Sequence, residues 1–201
     1  MSMGDARQRW LDEGVDVLSE EGASGVRIDR IAARLGLSKG SFHHHFDGAG
    51  GFKLELLAHL EELLTGALQR TVADGEAQES GRDTFVRLIP LVVAGHGGVY
   101  RPQLEKALRA WALTDDDAAR TQANIDEARL EAIRGIWHKL SDDEEDVRVA
   151  ALLPYVIAIG STVIFPPLST DDLQLLYERI LPLVPDGDAP VDDGTGGLPC
   201  G

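Results

Sequence analysis

The chain of 201 residues carries 34 Asp and Glu against 19 Lys and Arg, a formal net charge of −15 at pH 7. That length allows one domain, or a small domain fused to a larger one, with a substantial buried core. Such an acidic chain cannot bind a polyanion over its whole surface, because phosphate needs cations, and its one cysteine, Cys200, excludes an intramolecular disulfide and fits a reducing cytoplasm.

The acid is unevenly spread: residues 1–50 hold six Lys/Arg and eight Asp/Glu, so most of the excess lies beyond them. The amino terminus, MSMGDARQRW, lacks an apolar signal core, and nothing in it predicts export. Ala6 to Glu21 reads as the first helix, burying Trp10, Leu11, Val15, Val17 and Leu18. GASG at 22–25 is a turn. Ile28, Ile31, Ala32 and Leu35 then recur at helical spacing, and Gly36 stops that helix where a left-handed residue caps the carbonyl end. Leu37 can plug back between the helices, Ser38 can cap the next, and Lys39 to His45 is short and polar apart from Phe42. Helix, three-residue turn, then a helix with a small-residue, basic start is the pattern of a helix-turn-helix reader of the major groove. An ordinary helical hairpin is the competing reading of the same stretch.

With the following apolar-striped helix, the run GASGVRIDRIAARLGLSKGSFHHHF makes residues 10–64 resemble the amino-terminal domain of the TetR family of transcriptional regulators. The resemblance implies a homodimeric DNA-binding regulator, usually a repressor, released from double-stranded operator DNA by a small-molecule effector. Three departures accompany it. His43 stands where the family usually has a tyrosine, and Arg27 where it often has a threonine. Ala49 replaces a usual lysine or arginine within DGAGG at 47–51, which predicts a flexible loop and weaker or more salt-sensitive binding.

Lys39, Ser41 and His44 are the candidate base readers, since lysine donates to guanine acceptors and serine meets either sort of base edge. Arg27, Ser38, His43 and Lys53 are candidates for phosphate contacts, which set register, and Gly40 allows close approach. Arg30 and Arg34 are read as solvated or paired with Asp29. The consecutive His43, His44 and His45 point about 100° apart on a helix, so they are not assigned to a metal.

Phe52 to Val72 is a long helix striped with Leu56, Leu57, Leu60, Leu63, Leu64 and Leu68. In the resembled family this helix joins head to body. Asp74 to Arg82 is a polar link, and Thr84 to Val93 a helix kinked at Pro90. His96 to Gly98 breaks it. Leu104, Leu108 and Trp111 stripe the next helix, and TDDD at 114–117 caps a long one ending at Leu140. Ser141 with Glu144 predicts a capping box for a helix running through Phe165, and Ser169 caps the last, Thr170 to Leu183. The Leu152–Phe165 and Thr170–Leu183 helices are apolar on more than one side, which predicts a homodimer through a four-helix bundle. Pro154, Gly160, Ser161, Thr162, Pro166 and Pro167 interrupt Leu152 to Leu168, which is short for a membrane span.

The architecture expected is therefore all-α: a helix-turn-helix DNA-binding domain over 1–50, a helical ligand-binding and dimerisation domain over 51–183, and a disordered tail over 184–201. An apolar effector pocket is expected in the body, with Phe85, Leu88, Val92, His96, Tyr100, Trp111, Trp137 and Tyr155 as candidates. Arg109 and Asp126 could pair or orient a polar ligand. No GxSxG, HExxH, phosphate-binding glycine loop or CxxC motif is present, so neither catalysis nor a cofactor is expected. The reading is a cytoplasmic regulator. Its alternative is a helical ligand-binding or interaction protein whose head is impaired at Ala49.

Overall fold

The apolar spacing of the chain becomes a stack of helices. The computed structural model describes residues 3–73, 80–93 and 101–184, and every helix or strand among them is helical. The helices are α1 (Met3–Glu21), α2 (Ile28–Leu35), α3 (Lys39–His43), α4 (Gly48–Ala73), α5 (Gly81–Val93), α6 (Pro102–Ala112), α7 (Asp116–Trp137), α8 (Glu144–Val163) and α9 (Thr170–Ile180). Short 3-10 turns occupy Ala23–Gly25 and Leu181–Leu183. Residues 74–79 of the polar link, the pocket candidates His96 and Tyr100, and the tail beyond Val184 with Cys200 lie outside the described residues.

Most helix ends obey the expected chemistry. Gly36 takes the left-handed conformation, φ 65°, and the Leu37 amide donates back to the Ala32 carbonyl at 2.9 Å, closing α2. The Ser38 hydroxyl accepts from the Ser41 amide at 3.3 Å, the Asp115 carboxylate from the Asp117 and Ala118 amides, and Ser169 from the Asp172 amide.

Four expectations are corrected. DGAGG is not a loop, because α4 begins at Gly48. The Gly51 amide donates to the Asp47 carbonyl, and Phe52 is buried at once against Phe42 and Phe46, at ring separations of 5.6 and 4.9 Å. That aromatic burial outweighs a helix cost of about 1 kcal/mol per glycine. The cap of α8 is Asp143, whose carboxylate accepts from the Glu145 and Asp146 amides at 2.9 and 3.1 Å, while Ser141 only accepts from the Asp143 amide. Pro154 does not interrupt α8 but lies inside it, and the helix stops at Val163 rather than Phe165. Asp29 pairs with Arg27, leaving Arg30 to Glu21 and Arg34 to Glu13, Glu20 and Glu21.

Two apolar cores form among the described residues. The first joins Trp10, Val17, Leu18, Ile31, Phe42 and Phe52 to Leu56, Leu60 and Leu64 of α4, Leu104 and Leu108 of α6, and Ile125 of α7. The second joins Leu68, Phe85, Leu88, Ile133, Ile136, Trp137, Val147 and Ala151. The helix-turn-helix is thus packed continuously onto α6 and the near halves of α4 and α7, with α4 lying along α7. Helix α8 is long and apolar enough to cross a membrane by length and composition alone. Val147, Ala151, Pro154, Ala158 and Ser161 bury one face of it, while Val149, Val156 and Val163 on other faces are more than half exposed.

Candidate functional site

Helix α3 is anchored by one side chain. Phe42 is fully buried, edge-on to Trp10 at 5.2 Å and beside Phe46 at 5.2 Å. With the anchor facing inward, Lys39, Gly40, His43 and His44 lie exposed on the outside of α3, while Ser41 is half-buried. Lys39 has no ion-pair partner among the described residues. A cation without a local carboxylate is available to an incoming anion.

Four of the eight DNA-contact candidates converge. Arg27, Lys39, His43 and Lys53 line a common groove of about 580 Å³ where α2, α3, α4 and α6 meet, and Trp111 lines it too. Two of these cations are engaged. Arg27 donates to both carboxylate oxygens of Asp29, at 3.2 and 3.0 Å. Lys53 holds Asp115 at 2.9 Å and Asp117 at 2.6 Å, across the junction to the start of α7. Hydrogen bonds from Lys53 and the Ala118 amide hold the Asp115 carboxyl below the usual aspartate range. Ser38 spends its hydroxyl on the helix cap, and Gly40 has an open approach, its nearest neighbour for an added Cβ being that hydroxyl at 3.5 Å. Among the described residues, no group of three His, Cys, Asp or Glu side chains is placed to hold a metal ion.

The body holds a cavity of about 380 Å³ between α5, α8, α9 and the carboxyl end of α7, which includes Phe85, Ile89, Trp137, Leu153 and Leu181 in its wall. A smaller space of about 70 Å³ adjoins it, sharing Phe85, Ile89, Pro154 and Tyr177, and reaches Leu88, Val92 and Tyr155. The described pocket candidates are thereby gathered, except Trp111. That ring packs on the first core near the head and is not part of either body space.

Arg109 and Asp126 do pair, in a two-pronged bridge at 3.0 and 2.6 Å. Tyr155 donates to the same carboxylate at 2.6 Å and Gln122 at 2.7 Å. Burial pushes the Asp126 carboxyl up, but the hydrogen bonds from Arg109 and Tyr155 hold it below the usual range. Burial, then Asp126, pushes the Tyr155 hydroxyl up to about 12. A second pair was not anticipated: Arg129, 4% exposed, bonds Glu105, 1% exposed, and also donates twice to the Leu64 carbonyl at 3.1 and 2.9 Å. The signal was present, because Arg129 falls between Ile125 and Ile133 at four-residue spacing on the apolar stripe of α7.

Residues 11–49 match the family described as bacterial regulatory proteins, tetR family. The transcriptional regulator AcuR of Cereibacter sphaeroides is 30% identical over 93 residues, covering 46% of this chain and 42% of AcuR, so the alignment spans less than half of either protein. A crystal structure of a transcriptional regulator from Saccharomonospora viridis in complex with choline superposes with a TM-score of 0.69 at 20% identity, over 89% of this chain and 96% of that one. The reduced form of NemR from E. coli gives 0.69 at 17% identity, over 90% and 98%. A TetR-family regulator from Syntrophomonas wolfei gives 0.70 at 14%, over 90% and 95%. At these identities the structural matches establish the fold.

Proposed function

We propose that this chain is a transcriptional regulator of the TetR family, a reading that the family match over residues 11–49 and the partial likeness to AcuR support, and that it is a cytoplasmic homodimeric repressor released from double-stranded operator DNA by a small-molecule effector. The carrying observation is the geometry of α3. Phe42 fixes its inner face in the core, Lys39 and Gly40 stand outward at the amino end that such helices offer to base edges, and His43 and His44 are exposed at its carboxyl end. Lys39 and His44, with Ser41, read bases, while Arg27, Ser38 and His43 set the register on phosphate. The dimer surface is the outer face of α8 with α9, where Val156 is 61% exposed, Leu153 43%, Leu175 54% and Leu176 40%. A four-helix bundle built there places two reading helices on one face of the duplex. The effector occupies the body cavity. Displacing α7 there changes the purchase of the head, because α7 and the head share the first core.

Fluorescence anisotropy against the protein's own upstream intergenic DNA tests this, with a scrambled duplex run in parallel at low and near-physiological salt. Retained preference for the native fragment at the higher salt is the expected result. Equal binding to both duplexes, lost as salt rises, refutes the reading of α3. It would favour a second reading, an interaction protein with an impaired head, which the engagement of Lys53 by Asp115 and Asp117 and the absence of a cation at Ala49 support.

A further inference from the structure

Resting on the DNA-binding reading proposed above, we infer that Lys53 is a further phosphate contact whose place on DNA is taken, in the free protein, by Asp115 and Asp117. Lys53 reaches the duplex only by leaving them, so this carboxylate pair holds DNA affinity down. Ala49 and Lys53 stand four residues apart on one face of α4, and both line the groove shared by Arg27, Lys39 and His43. The Lys53 ammonium lies 2.9 Å from Asp115 and 2.6 Å from Asp117, between anionic oxygens such as a phosphate would offer. Arg27 differs. Its partner Asp29 is two residues away and travels with it, whereas the partners of Lys53 belong to α7, in the body.

Magnitudes favour the exchange. The side chains of Lys53, Asp115 and Asp117 are 30%, 24% and 27% exposed, and ion pairs open to water shift an equilibrium by only roughly 1.5- to 5-fold. A lysine that neutralises a phosphate also releases a condensed counterion from the duplex, a gain the internal pair does not have. The carboxylates left behind keep other partners. Asp115 still accepts from the Asp117 and Ala118 amides, at 3.0 Å each, and Asp117 still pairs with Arg120. Neither carboxylate is buried, so no stranded charge opposes the release of Lys53.

The test titrates the full-length protein by anisotropy, across a range of salt, against the upstream intergenic duplex and a scrambled one. A phosphate contact carries no sequence information, so both duplexes report it. Asp117→Asn should tighten binding to both by roughly 1.5- to 5-fold. Asp115→Asn, which keeps a capping side chain at the start of α7, should do likewise. Asp116→Asn makes the same change of charge at a residue that does not hold Lys53, and should do distinctly less. Lys53→Gln should weaken binding and flatten the slope of log affinity against log salt by about 0.9. In that background, Asp115→Asn and Asp117→Asn should tighten binding no more than Asp116→Asn does. Tightening by Asp117→Asn that persists without Lys53, as a freed Arg120 would produce, overturns the inference. Equal gains from all three aspartate variants overturn it too, as does a Lys53→Gln protein with an unchanged salt slope. Lys53-dependent gains without preference for the native duplex refute the operator reading alone. Preference retained without those gains refutes the exchange alone, and binding of neither duplex by any of the proteins refutes both.

Discussion

The Glu105–Arg129 pair is the most consequential polar contact in the body, and replacing Arg129 by methionine measures it. The substitution keeps the aliphatic stem and removes the guanidinium. It leaves the Glu105 carboxylate, 1% exposed, without its hydrogen-bonded counter-ion and with only the more distant charge of Arg109, and strips two donors from the Leu64 carbonyl. Breaking a buried pair by removing one partner costs about 3–5 kcal/mol. Adding Glu105→Leu removes the stranded charge and leaves only the carbonyl unsatisfied, about 1–3 kcal/mol.

Urea unfolding followed by circular dichroism, at one fixed protomer concentration because a dimer couples stability to concentration, reads all four proteins. Arg129→Met should lose about 3–5 kcal/mol at pH 7 and the double variant distinctly less. Losses that add to within about 0.5 kcal/mol would refute the reasoning, since additivity is the behaviour of groups that do not interact.

Phe42→Ala should cost about 3–5 kcal/mol by emptying a fully buried aromatic site, and should abolish operator preference with it, read by anisotropy. Lys39→Ala should leave stability within about 0.5 kcal/mol, weaken operator binding, and reduce the slope of log affinity against log salt by about 0.9 if the ammonium meets a phosphate. Gly81→Ala places a Cβ 2.6 Å from Leu140 Cγ and 2.8 Å from the Ile136 carbonyl, so thermal unfolding should show a loss of about 1–3 kcal/mol. Because Asp115 titrates below its ordinary value when folded, its contribution is complete above about pH 4 and lost as pH falls through the folded value. Acid unfolding of Asp115→Asn should therefore show a weaker pH dependence in that range. Val156→Glu should give a monomer by light scattering if α8 forms the dimer.

The helix-turn-helix was legible because local rules determine it. Gly36 needs a positive φ, Ser38 is a short acceptor three residues before the amide it caps, and Phe42 is the single apolar residue on a polar helix. The body was legible as helices and opaque as a site. Trp111 and Trp137 read alike as apolar residues of amphipathic helices, yet tertiary packing sends Trp111 to the head groove and Trp137 to the cavity wall. Lys53 shows the same limit. It is a candidate phosphate contact by sequence, and nothing local to it announces that it pairs with Asp115 and Asp117, 62 and 64 positions away. Glycines weigh against a helix in sequence, and nothing local to DGAGG announces that Phe52 will be clamped between Phe42 and Phe46.

The same long-range packing bears on how a signal would travel. A head linked only through α4 could pivot without disturbing the body. Here Leu104, Leu108, Ala118 and Ile125 belong to the core that holds Trp10, Ile31 and Phe42, so the head rests on α6 and the start of α7 as well. Helix α7 extends from the Asp115 cap beside Lys53 to Trp137 at the cavity, and Arg129 ties its middle to Glu105 of α6 and the Leu64 carbonyl of α4. A ligand in the body cavity would therefore act on a rod braced to both helices that carry the head. Packed interfaces of this kind shift between discrete arrangements rather than bending continuously. The Lys53–Asp115 contact is where such a shift would alter the seating of α3. In an effector-responsive protein, Lys53→Met should then weaken the coupling between effector and DNA while leaving effector affinity in the absence of DNA unchanged. Equal loss of effector affinity with and without DNA would place Lys53 outside that linkage.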